Sequence, residues 1–215
     1  MKKKTGKFFY ASLGLLLSFI LWTVLIKFID VKAIGPRGSF VGFATLNGFF
    51  HDLTGVNMTL YNITDWFGLV PLFTSFAFAL TGLIQWIKRK SILKVDGNIL
   101  ALGGFYLLVI AVYILFENVV INYRPTLING YLEVSYPSST TLLVLTVMPT
   151  TVMQLRPRIK NKTVKNSVSV LISAFTVFMV VARLISGVHW LSDIIGGVLL
   201  CFGLVMMYKF VCENL

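Results

Sequence analysis

The sequence predicts an all-α, polytopic membrane protein in which residues 1–215 form a single domain. The first observation behind this is composition. Of 215 residues, 57% are hydrophobic and 13% charged, where a soluble domain carries about 25% charged residues. Mean hydropathy is +0.85. The second observation is spacing: six apolar stretches each approach the ~20 residues a helix needs to cross a bilayer. Only helices and closed barrels satisfy their backbone groups in hydrocarbon. Barrel strands would be half as long and would alternate apolar with polar residues. This much apolar content also excludes a disordered chain. Cys201 and Cys212 form neither a disulfide framework nor a metal motif. On one helix they would lie roughly 16 Å apart, too far to bridge.

The spans follow in order. The first is Phe8–Ile26, preceded by Lys2, Lys3, Lys4 and Lys7. It is longer than a signal-peptide core, and Lys27-Phe28-Ile29-Asp30 offers no small-residue cleavage site, so a retained helix is expected. Residues 30–65 are too apolar to be simply solvated. Phe40, Phe43, Leu46, Phe50 and Leu53 recur at helical spacing, which predicts a helix along the outer interface. Thr64-Asp65 before Trp66 reads as a capped helix start. The second span is Trp66–Ile87, the third Ile99 to about Val120, and the fourth Ser138–Leu155. The fifth is Val168–Ile185 and the sixth Trp190–Val211.

Lys and Arg set the expected orientation. They concentrate in residues 1–7, Lys88–Lys94 and Arg156–Lys165, whereas the opposite loops hold only Lys32, Arg37 and Arg124. Both termini are therefore expected in the cytoplasm, and loops 30–65, 121–137 and 186–190 outside. The net charge of +11 follows from this asymmetry and faces anionic lipid. It does not call for a nucleic-acid partner.

Ionisable residues at membrane helices need a reason to be there. Glu117, Arg124, Arg183 and Asp193 all fall toward the expected outer side, and His189 lies between the last two. A carboxylate beside one ring nitrogen fixes a histidine's tautomer and leaves the other as base or nucleophile. Arginine forks suit phosphate oxygens. Pro137-Ser138-Ser139-Thr140-Thr141 opens the fourth span, and free amides at a helix start attract anions. Together these residues make a phosphate-handling site. No acidic cluster for a metal accompanies them, so neither metal nor other cofactor is expected.

At these positions the sequence resembles the type 2 phosphatidic acid phosphatase superfamily of integral membrane lipid phosphatases. The family signatures are Lys-x6-Arg-Pro, Pro-Ser-Gly-His and Ser-Arg-x5-His-x3-Asp. Here they read Glu117-x6-Arg124-Pro125, Pro137-Ser138-Ser139-Thr140 and Ala182-Arg183-x5-His189-x3-Asp193. The resemblance spans about residues 66–210, with the signatures inside 117–193. It implies six helices with an outward-facing site in a bacterial-type plasma membrane. It also implies catalysis by His189, which would attack phosphorus and become a phosphohistidine, and by Asp193, which would orient it. Arg124, Ser138, Ser139 and Arg183 would bind the phosphate of a phosphorylated membrane lipid.

Two departures bear on the chemistry. Thr140 stands where the family histidine protonates the leaving oxygen, a contribution of roughly 10²–10⁴ in rate. Glu117 replaces the phosphate-binding lysine, and a carboxylate there is expected to pair with Arg124 or Arg183. Losing the acid penalises an alkoxide leaving group more than a phosphate one, so a lipid pyrophosphate such as a polyprenyl pyrophosphate is the favoured substrate. His51 in the outer loop is an alternative acid. The further alternative is a catalytically impaired member that binds or senses a phosphorylated lipid.

Overall fold

The computed structural model describes residues 2–215, with side chains from residue 6 onward. It is all-helical: α1 Lys2–Phe28, α2 Ala44–Thr54, α3 Met58–Phe67, α4 Leu69–Arg89, α5 Gly97–Asn118, α6 Ser139–Leu155, α7 Lys162–Ile185 and α8 Leu191–Asn214. Five segments are long and apolar enough to cross a membrane: Gly6–Phe28, Met58–Arg89, Gly97–Asn118, Lys162–Ile185 and Leu191–Asn214. Their outward faces are apolar, with Leu17, Phe73, Leu107 and Leu171 exposed. Exposed apolar faces on helices of this length fit contact with lipid.

α6 differs from the other long helices. At 17 residues it is shorter, and most of it is buried. Thr146, Thr150 and Thr151 bond back to the carbonyls of Leu142, Thr146 and Val147 at 2.7–2.8 Å. This hides the hydroxyls within the helix. Pro149 is accommodated within the same helix. α1 runs antiparallel to α8: Ser12 donates to Gly203 O at 2.7 Å near one end, and Trp22 to Ser192 O at 3.1 Å near the other. The core between them is filled by Phe19, Leu102, Phe105, Leu200 and Leu204.

These connections gather residues 29–57, 119–138 and 186–190 at one end of the bundle. The basic segments 88–94 and 156–165 lie at the other. Two expectations are corrected here. Thr64-Asp65 starts no helix: Asn57 caps α3, its Oδ1 accepting from Leu60 N at 2.9 Å. Thr64 lies buried within α3, bonding back to Tyr61 O at 2.8 Å. The polar run Thr59, Asn62, Thr64, Asp65 disguised that helix as loop. The aromatic run before α2 is also only partly helical, because Phe40 and Phe43 precede Ala44 and Phe43 is left-handed with φ 48°.

Candidate active site

Residues 119–138 build the first wall of the site. Asn129-Gly130 makes a two-residue turn with φ of 51° and 81°, the conformation such pairs favour in tight hairpins. Ile128 and Tyr131 exchange backbone bonds of 3.1 and 2.9 Å across it. Further back, Arg124 N donates to Glu133 O and Ser135 N to Asn122 O, both at 3.0 Å. Side-chain alternation then puts Asn122 and Arg124 on one face. The Arg124 guanidinium pairs with Glu133 at 3.0 Å.

The second wall is the turn from α7 into α8. Gly187 has φ +68°, and a Cβ there would meet Gly55 O at 1.8 Å, so only glycine fits. The turn delivers His189 just before α8, whose start is held from several sides. Trp190 N donates to Asp193 Oδ2 at 3.0 Å, and Ser192 N to Asn47 Oδ1 of α2 at 3.0 Å. Trp190 Nε1 donates to Tyr123 O at 2.7 Å.

His189 is 4% exposed and Asp193 fully buried. Their separation, 3.8 Å from Nδ1 to Oδ2, exceeds a hydrogen bond. The carboxylate expected to fix the tautomer is therefore replaced by a different partner, because His189 precedes α8 rather than lying on it. Nδ1 is 3.1 Å from the Ser135 carbonyl. A carbonyl only accepts, so Nδ1 carries the proton and Nε2 keeps its lone pair. Nε2 lies 3.3 Å from Arg124 Nη1. Burial, then the charges of Arg124 and Arg183, hold the imidazole well below its ordinary pKa, against the pull of the Ser135 carbonyl. Asp193 Oδ1 accepts from Asn122 at 2.9 Å. The arrangement yields a neutral histidine whose Nε2 lone pair accepts from an arginine, a donor that a phosphate oxygen could take in turn, which suits attack on phosphorus.

Arg183 is 2% exposed and is held by α3. It donates to Thr64 Oγ1 at 3.0 Å, lies 3.7 Å from Asp65 and stacks over the Tyr61 ring at 4.6 Å. Glu117 therefore pairs with neither arginine, contrary to the sequence expectation: Glu133 and Asp65 take those places, and Glu117 is exposed on the last turn of α5. Ser138 is buried and caps α6, accepting from Thr141 N at 3.4 Å. Ser139 and His189 share a cleft with Glu117. Thr140 faces instead a neighbouring apolar groove of about 440 Å3 between α4, α5 and α6, lined also by Asp65, Leu72 and Val109. His51 is half-buried on α2 with its ring 5.5 Å from Trp190, and burial pushes its pKa down.

Sequence reasoning missed Asn122, Glu133, Ser135, Tyr61 and Asp65 as partners in the site. The Asn129-Gly130 pair was the one signal that could have found the hairpin trio. Among the described residues, no three His, Cys, Asp or Glu side chains cluster as metal ligands.

The fold is similar to the crystal structure of a transmembrane PAP2-type phosphatidylglycerolphosphate phosphatase from Bacillus subtilis. The TM-score is 0.62 at 19% identity, covering 96% of this chain and 98% of that one. A search of curated proteins finds no match. The PAP2 superfamily model matches residues 72–213, a stretch that contains Arg124, Arg183, His189 and Asp193, and the chain belongs to the PAP2 superfamily.

Proposed function

We propose that the protein is a lipid phosphatase that works through a phosphohistidine on His189, favours lipid pyrophosphates and acts at the outer face of a bacterial-type plasma membrane. The carrying observation is the tautomer of His189. With Nδ1 donating to Ser135 O at 3.1 Å, Nε2 keeps its lone pair, which accepts from Arg124 Nη1 at 3.3 Å until a phosphate takes that donor.

In the first step Nε2 attacks the terminal phosphorus, a P–N bond forms, and the bridging P–O bond breaks. The electron pair leaves with the lipid monophosphate. Asp193, fully buried 3.8 Å from Nδ1, stabilises the imidazolium that results. Arg124, Arg183, the Ser139 hydroxyl and the amides opening α6 receive the equatorial oxygens as charge spreads. Water then cleaves the P–N bond without a metal.

Thr140 has no proton to give near neutral pH, so a leaving group that departs as a phosphate is favoured over an alkoxide. The apolar groove beside Ser139 suits the chain of the lipid, whose head then lies toward His189. Orientation rests on the basic segments at the end of the bundle away from the site.

The test is phosphate release by purified protein in detergent with chelator, across lipid mono- and pyrophosphates. Pyrophosphates should be the better substrates, and His189→Ala should abolish release. Thr140→His should raise the monophosphate rate more than the pyrophosphate rate. Equal gains would remove the leaving-group argument. The competing reading, a binder of phosphorylated lipid without turnover, draws on Thr140 and Glu117. It gains the ground if folded protein binds these lipids and releases no phosphate.

A further inference from the structure

We infer that Glu117 is the general base for the second half of the reaction, the hydrolysis of phosphohistidine, an inference that rests on His189 as nucleophile. Glu117 lines one small cleft with Ser139, Pro137 and His189. The cleft measures about 10 Å3, the size that admits about one water molecule. It adjoins the larger apolar groove, with Tyr113, Ser139 and Leu142 lining both.

The other carboxylates around the site are committed. Asp193 holds Asn122 and Trp190 N, Glu133 pairs with Arg124 and Asp65 with Arg183. Among the described residues Glu117 makes no ion pair, so its carboxylate is available to take a proton. Thr140, which stands where the family signature has its histidine, lines the groove and has no basic group.

Once the lipid monophosphate has left, water occupies the side of phosphorus opposite Nε2. Its oxygen bonds to phosphorus while its proton passes to Glu117. The P–N electron pair returns to Nε2, leaving neutral His189 with its proton still on Nδ1. Inorganic phosphate departs and Glu117 returns its proton to solvent. A carboxylate at this place in the site thus assists water, where a lysine would only hold phosphate.

Rapid-quench kinetics with a lipid pyrophosphate, following lipid monophosphate and inorganic phosphate separately, test this. Glu117→Gln should keep a burst of about one lipid monophosphate per enzyme and lose on the order of 10²-fold in steady-state release of inorganic phosphate. Phosphoenzyme should accumulate, and formate should restore part of the rate. A retained burst reports that the variant is folded, and a thermal unfolding midpoint equal to wild type keeps loss of the burst from being misfolding. Steady-state turnover equal to wild type would overturn the inference, as would loss of the burst itself, which would mark a binding role. Wild-type protein that turns over without forming phosphoenzyme would instead bring down the His189 mechanism on which it rests.

Discussion

His189 is set up by three neighbours that act on different properties. Ser135 chooses the tautomer, Arg124 supplies a donor 3.3 Å from Nε2, and burial keeps the ring neutral. The sign of the pH effect follows. A folded pKa held well below 6.5 leaves the lone pair available in mildly acidic solution, where an ordinary histidine would be half protonated. The first-turnover rate should therefore stay flat as pH falls through 6.5 and decline only below it. Arg124→Ala removes one of the opposing charges, so its acid limb should move up toward 6.5 in rapid-quench profiles. An unchanged limb would mean that Arg124 contributes no field at Nε2. Arg183, His189 and Asp193 could be singled out because their spacing within one signature is local, and Arg124 because it precedes Pro125 in another. Their partners could not: Arg183 meets Thr64 across 119 residues, and no periodicity encodes such a contact.

At the scale of elements, α2 and the hairpin do the positioning. Asn47, buried on α2, donates to Gly42 O at 2.8 Å and Ser192 Oγ at 2.9 Å, and accepts from Ser192 N at 3.0 Å. One amide thus caps α8 and fastens α2 beneath the site. Asn47→Ala leaves these buried groups unpaired, at a cost of about 1–3 kcal/mol. A lower unfolding midpoint in detergent is the expected result, with first-turnover rate reduced as His189 loses its support. Wild-type stability would mean that α2 is held by its apolar contacts instead. Helix positions were readable to within a few residues, since hydropathy over ~20 residues is a local property. The exception is α3, where polar residues serve Arg183 rather than solvent. The hairpin also escaped notice, although Asn129-Gly130 is a strong turn signal, because its flanking residues are chosen for the site and do not alternate cleanly.

The whole molecule separates chemistry from charge. The site gathers at one end, and the basic segments 88–94 and 156–165 lie at the other, which on the positive-inside rule supports the outward-facing site proposed above. Single cysteines, in a protein with Cys201 and Cys212 replaced by serine, test this, since Asn129 and Lys160 are both exposed at opposite ends. A membrane-impermeant maleimide on intact cells should label Asn129→Cys and spare Lys160→Cys, and the reverse pattern would invert the topology. The fold itself demands little beyond helices that satisfy their own backbone in lipid. Against the signatures that the sequence resembles, the chain keeps His189, Asp193, Arg124 and Arg183 and carries Glu117 and Thr140. The most direct measurement is to quench the protein during turnover of a lipid pyrophosphate labelled in its terminal phosphate. An acid-labile, base-stable phosphoenzyme that maps to His189 and is missing from His189→Ala is the predicted result. Undiminished turnover by His189→Ala, or label held at another residue, would contradict the account.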